Sequence, residues 1–362
     1  MTPLGRRIAA LIEATGPVSV ADYMAMCLFD PQHGYYTTRE PFGREGDFTT
    51  APEISQMFGE IVGIWVITAW RALGSPHPVT VAEIGPGRGT LAKDMLRTIR
   101  QIAPDLHQTA EVVLIETSPR LAEIQRQTLG DEAGRTTWHH GVDALPRQPL
   151  LIVGNELFDA VPIRQYVRRS IGWSERLIGL DTRGEFGFVA GPSTIGGDLL
   201  PADAPAAPEG AIVELAPART AIMDAIAARI SGDGGAGLFI DYGHERSAVG
   251  DTLQAMRNHG FDPVLAHPGE ADLTAHVDFD ALAREARRHG LETALLTQGD
   301  FLLRTGLLER AGSLGADADD LTQDRIRGEV ERLASPDAMG TLFKALCVVP
   351  AGMMPEPFRD SN

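Results

Sequence analysis

"TVAEIGPGRGTLAKDML", residues 80–96, is the stretch whose reading decides the fold. An apolar run ends at an acid, Glu83, then breaks into three glycines spaced two apart, Gly85, Gly87 and Gly89. An amphipathic stretch follows from Thr90, with Leu91, Met95, Ile99 and Ile102 sharing one helical face. A strand, a glycine turn and a helix in that order form the ligand-binding corner of an open α/β sheet. Glycine there lets backbone approach a ligand with no side chain in the way.

Glu83 narrows the ligand. A dinucleotide would call for G-x-G-x-x-G and a pyrophosphate on the helix N-terminus, yet Thr90 stands at the sixth position. A carboxylate at the strand's end repels a pyrophosphate and attracts an ammonium or a sulfonium. S-adenosylmethionine carries both cations and no phosphate.

Outward from the loop, short apolar runs alternate with amphipathic helices, as in a parallel sheet covered on both faces. "AEVVLIETS" (110–118) is predicted as the second strand, and Ser118, Pro119 and Gly130 frame the next helix. "TTWHHG" (136–141) is a short third strand, and "PLLIVGNELFDAV" (149–161) a fourth that runs into a polar turn. "GAGLFIDYG" (235–243) is the fifth, Asp278 to His289 a helix, and "LETALLTQ" and "LFKALCVV" the sixth and seventh strands. Between the fourth and fifth, "IRQYVRRS" and "WSERLIGL" alternate like a hairpin, while "GPSTIGGDLLPADAPAAPEG" reads as loop. The expected divisions are an N-terminal helical lid over 1–60, the cofactor half over 61–162, an inserted β arm over 163–215, the second half over 216–350, and a tail over 351–362. Leu4, Ile8, Leu11 and Ile12 give the first helix an apolar face.

Further acids fall at successive strand ends. Glu116 is placed to accept from ribose hydroxyls, and Asp143 to bond an adenine amino group. "DFTTAPEIS" presents Thr49, Thr50 and Ser55 beside a helix start that can close over the cofactor; a capping box of Thr50 with Glu53 explains the same letters.

Several segments together resemble the MidA-type S-adenosylmethionine-dependent methyltransferases, bacterial relatives of the mitochondrial complex I assembly arginine methyltransferase. They are "GDFTTAPEISQMFGE" (46–60), "EIGPGRGT" (83–90), "GNELFDAVPIRQY" (154–166), "DYGH" (241–244), "DLTAHVDF" (272–279), "TQGDFLL" (297–303) and "MGTLFKAL" (339–346). The resemblance implies a class I methyltransferase fold: a seven-stranded, mostly parallel Rossmann-like sheet with its last strand antiparallel. It also implies S-adenosyl-L-methionine at the glycine loop and, for the mitochondrial member, methylation of an arginine in a complex I subunit.

A guanidinium stays protonated and its nitrogens are poor nucleophiles. Carboxylates gripping two of them leave the third richer in electron density. Glu156 and Asp159, read as one helical turn apart, are the candidate clamp, with Asn155 beside them on the donor or acceptor. The alternative is that Asn155 caps a helix whose dipole the two acids favour. Asp241, Tyr242 and His244 are second candidates, the histidine as proton acceptor.

Composition excludes other classes. A net charge of −17 works against nucleic acid, whose affinity comes from neutralised phosphates. No run of 18 apolar residues predicts a membrane span. Cys27 and Cys347 have no metal-ligand spacing, and the histidines share none with acids, so no metal is expected. The reading is a cytoplasmic methyltransferase acting on a protein nitrogen, with an oligomer left open. A cofactor-binding assembly chaperone and an NAD-dependent oxidoreductase are the rivals.

Overall fold

The computed structural model describes residues 1–38 and 50–359, and these divide into two units. One comprises residues 49–157, 222–245 and 279–362; the other comprises 1–48, 158–221 and 246–278.

The larger unit is built on a twisted sheet. Its strands are β1 (Val79–Ile84), β2 (Ala110–Ile115), β3 (Thr136–His139), β4 (Leu150–Asn155), β5 (Gly235–His244), β6 (Leu291–Thr297) and β7 (Phe343–Pro350). They lie in the order β6-β7-β5-β4-β1-β2-β3. β1 to β5 pair in parallel, whereas β7 runs antiparallel to both β5 and β6. Every residue of β1 is buried, as a strand covered on both faces requires. The strand order reverses beside β1, between β2 and β4, so a ligand belongs at the carboxyl ends of those strands.

Helices α1 (Ala51–Ile54), α2 (Gln56–Ala72), α3 (Thr90–Ile102) and α4 (Pro119–Leu129) pack in this unit. Ile61, Trp65 and Val66 of α2 join Leu91, Met95 and Ile99 of α3, Val81 of β1 and Cys347 of β7 in one core. The expected apolar face of α3 holds for three residues, but Ile102 is 49% exposed. Thr90 does not cap α3: Gly89 does, in the left-handed conformation, and the Thr90 hydroxyl turns instead to Glu53.

The other unit joins three separate stretches of chain. Helices Pro3–Thr15 and Val20–Phe29 pack on strand Gly172–Leu180, which pairs with Arg164–Arg169 and Phe186–Thr194, and Ile212–Leu215 pairs with Arg164–Arg169. Val18 and Ser19 pair with Ile178 and Leu177, so the N-terminal segment itself adds an edge to the hairpin sheet. Leu4, Ile8, Val20, Met24, Ile163, Ile178 and Leu273 share one core. The hairpin predicted at 163–180 forms, but it is no free-standing arm over 163–215, because that core draws on 1–28 and 253–275 as well. A strand that the sequence reading did not identify, Phe186–Thr194, pairs with Gly172–Leu180 despite its glycines and proline, and its last four residues take up the start of the expected loop. Leu11, expected on the buried face of the first helix, is 39% exposed.

Candidate cofactor site

The loop after β1 needs its glycines for backbone reasons. Gly85, Gly87 and Gly89 have φ of 69°, 52° and 83°, values that cost an L residue strain. A Cβ on Gly85 would also lie 2.8 Å from Leu157 Cδ1. Gly85 N–H donates to Ile115 O at 3.1 Å, which fastens the loop to β2, and Gly89 N–H turns back to Pro86 O at 2.7 Å.

Two buried acceptors sit at the ends of adjacent strands. Glu83, on β1, is 3% exposed, and burial pushes its carboxyl up from 4.5 to about 8 against one backbone hydrogen bond from Ala92. Its Oε2 meets no hydrogen-bond partner among the described residues. Asn155 ends β4, the parallel neighbour of β1. Its Nδ2 donates to Glu156 Oε1 at 3.2 Å, which leaves Oδ1 as the acceptor, buried and likewise without a partner among the described residues. Such orphans are rare in folded proteins and call for an explanation.

Glu116 follows β2. Its Oε1 accepts from Ser118 N at 2.7 Å and its Oε2 from Gln125 Nε2 at 3.0 Å, while burial raises its pKa. Gln125, which sequence reasoning missed, is fully buried and also donates to Gly87 O at 2.8 Å. A mid-helix glutamine carries no local signal, so only the fold reveals it. Asp143 lies in the turn Val142–Ala144 after β3 and is exposed.

The segment before α2 is tied to this corner. Glu156 adopts φ 49°, a left-handed value unusual for a side-chain-bearing residue, and its Oε1 accepts from Ala51 N at 3.1 Å. The predicted capping box does not form. Thr50 precedes α1 but makes no side-chain capping bond, and Glu53 instead takes the Thr90 hydroxyl at 2.5 Å. Ser55 caps α2 through Met57 N at 3.2 Å. Thr49 lies outside the described residues.

Glu156 and Asp159 are not a helical pair. Residues 156–161 form a bend and turn, and the division between units falls between Leu157 and Phe158. Strain at Glu156 and the turn after it replace the helix that the acids' spacing implied. In its own unit Asp159 is 8% exposed, with its carbonyl held by Arg219 Nη2 at 3.0 Å. Arg219 also grips the carbonyls of Val161, Ala275 and His276. The Tyr36 hydroxyl donates to Asp272 at 3.2 Å, and burial, then the charges of Asp272 and Asp159, raise its pKa. At the end of β5, Asp241 is fully buried and accepts from Tyr242 N at 2.9 Å. Asp224, Glu285 and His289 present ligand atoms within 4.8 Å of one another. Protein partners already engage them: His289 bonds Asp224 at 2.7 Å and Arg288 bonds Glu285 at 3.0 Å.

The orphaned atoms at β1 and β4 are acceptors, so they suit a cationic ligand end and not a pyrophosphate. The comparisons agree. A family model for S-adenosyl-L-methionine-dependent methyltransferases matches residues 61–297. The chain belongs to this methyltransferase family. The mitochondrial protein arginine methyltransferase NDUFAF7 of Danio rerio is 34% identical, covering 95% of this chain and 86% of that protein. Its homolog in Drosophila melanogaster is 36% identical, with 96% and 85% covered. The crystal structure of a Burkholderia thailandensis protein bound to S-adenosyl-homocysteine superposes with a TM-score of 0.83 at 29% identity, covering 96% of this chain and 91% of that one.

The methyltransferase assignment fixes the cofactor as S-adenosyl-L-methionine and sets aside the oxidoreductase reading. It also brings a correction. The expected cytoplasmic location is overturned, because the curated relatives carry names that place them in mitochondria.

Proposed function

We propose that this methyltransferase modifies the guanidinium of an arginine in a protein, that a respiratory complex I subunit is that protein, and that the modification serves complex I assembly. The observation that carries the reading is the likeness, 34% and 36% identity over at least 95% of the chain, to proteins named as protein arginine methyltransferases. The acidic surface, at net charge −17, suits a cationic target.

Bound S-adenosylmethionine supplies a methyl group on a sulfonium, and in-line transfer asks the protein chiefly to align the acceptor and exclude water. In this reading Glu83 and Asn155 Oδ1 hold the cationic end of the cofactor, and Glu116 and Asp143 hold its ribose and adenine. Gly85, Gly87 and Gly89 let backbone come close. Thr50 is the proposed contact from the segment over the site, since the Ser55 hydroxyl is taken up by capping. Lid action is assigned to Thr50–Ile54, which Glu53 and Glu156 tether to α3 and β4.

Glu156, on the larger unit, is the proposed guanidinium-binding carboxylate, and Asp159, on the other unit, is the alternative to it. Asp159 and Asp272 bring two buried carboxyls to Tyr36, the acceptor chemistry that a planar cation requires. His244 is the proposed acceptor for the proton that the methylated nitrogen loses. The test is incubation with labelled S-adenosylmethionine and arginine-bearing peptides of complex I subunits, read by mass spectrometry. Expected are methylated arginine with the wild type, and near-normal cofactor affinity with little transfer for Glu156→Gln. Label found on lysine, or transfer unchanged in Glu156→Gln and Asp159→Asn, would sink the assignment.

A further inference from the structure

Gln125 uses its amide almost completely. Nε2 places one hydrogen on Gly87 O at 2.8 Å and the other on Glu116 Oε2 at 3.0 Å, while Oε1 accepts from Trp138 Nε1 at 2.8 Å. An indole only donates, so Trp138 decides which end of the amide is oxygen and which end faces the loop and the carboxylate. Trp138 is itself pinned, with the Arg126 guanidinium 4.5 Å over its ring. The left-handed turn rests on the same side chain: a Cβ on Gly89 would lie 3.3 Å from Gln125 Cγ. With Ser118 N on Oε1, the Glu116 carboxylate is held at both oxygens from one side.

We propose that Gln125 is a positioning residue for the nucleoside end of the cofactor, aiming the Glu116 carboxylate at the ribose hydroxyls and locking the glycine loop to it through Gly87 O. The proposal rests on the reading of Glu116 as the hydroxyl acceptor. A charge-assisted hydrogen bond whose loss leaves a half-buried carboxylate misdirected is worth about ten- to a hundredfold in affinity.

The experiment is calorimetric titration of S-adenosylhomocysteine and its 2′-deoxyribose analogue into the full chain, as wild type, Gln125→Met, Glu116→Ala and the double variant. Gln125→Met is expected to weaken S-adenosylhomocysteine about ten- to a hundredfold and the deoxy analogue less, since that analogue lacks one of the two hydroxyls that Glu116 is aimed at. The double variant is expected to lose no more than Glu116→Ala, because the amide acts through the carboxylate. Additive losses, or equal losses for both ligands, would show that Gln125 merely packs and would overturn the proposal. So would wild-type affinity in Gln125→Met alongside a weakened Glu116→Ala. Unchanged affinity in Glu116→Ala would refute the reading beneath it instead. Should Gln125→Met melt at assay temperature, Trp138→Phe removes the amide's orienting donor, and a loss with the same ligand preference is the supporting result.

Discussion

Replacing Glu83 by glutamine is expected to make the ligand-free protein more stable and the cofactor complex weaker. The folded, ligand-free protein keeps a proton on Glu83 up to about pH 8, whereas the unfolded chain releases it near the ordinary value of 4.5. The native state thus binds the extra proton between those values, and the stability this group provides is full below 4.5 and lost as pH rises through 8. At about 1.4 kcal/mol per pH unit, the loss has a ceiling of about 5 kcal/mol. Glutamine keeps the shape and can still accept from Ala92 but never ionises. Urea unfolding is therefore expected to show no gap between wild type and Glu83→Gln near about pH 5, and a gap favouring the variant that widens toward about pH 9. Binding runs the other way. A cationic ligand needs the ionised carboxylate, so wild-type affinity for S-adenosylmethionine rises by up to about tenfold per pH unit below about pH 7, with release of a proton. The variant is expected to bind weakly with no such slope. Parallel stability curves for the two proteins, or wild-type binding without proton release, would refute the argument.

Gly85→Ala, forced to hold φ 69° with its Cβ 2.8 Å from Leu157 Cδ1, is expected to lose about 1–2 kcal/mol to backbone strain alone and to bind cofactor poorly. Adding Leu157→Ala relieves the contact but not the strain, so thermal melts of both variants check the order. Ser55→Ala is expected to cost about 1 kcal/mol through the lost cap of α2 while leaving cofactor affinity unchanged; a large drop in calorimetric affinity would restore Ser55 as a ligand contact. Glu60, 6% exposed, accepts from Arg97 at 2.9 Å and from Arg310 at 2.6 Å. Glu60→Ala takes from Arg310 its carboxylate partner and leaves Arg97 with Asp94 at 2.6 Å; because the guanidinium groups are 29% and 35% exposed, the expected loss by urea unfolding is about 1–2 kcal/mol.

The sheet was readable in the sequence because its strands are continuous apolar runs between capped helices, and "VTVAEI" is buried at every position. The loop was readable because three left-handed residues in five leave a trace of glycine. What escaped were features set by distant chain. Phe186–Thr194 is a strand only because Gly172–Leu180 offers it an edge, against its glycines and proline. The spacing of Glu156 and Asp159 suggested a helix, yet Glu156 is drawn into a left-handed bend where it meets Ala51 N, more than a hundred residues away in sequence. Gln125 looked like any surface glutamine on an amphipathic helix, and its role exists only because β2, β3 and the glycine loop converge on it.

The smaller unit also sets a schedule for synthesis. Thr2 Oγ1 donates to Pro268 O across 266 residues of chain, and Val18 waits for Ile178 as its strand partner. At about 5–20 residues per second, a ribosome needs about 10–50 s to travel from the first of these to the last. Through that interval Leu4, Ile8 and Ile12 lack the part of their core that Ala255, Ala271, Leu273 and Ala275 supply, so the nascent segment Pro3–Thr15 presents an apolar face to any holdase. The completed helix is then fastened by some of the last pieces of its unit to emerge, which makes the emergence of residues 246–278 the moment at which this unit can close.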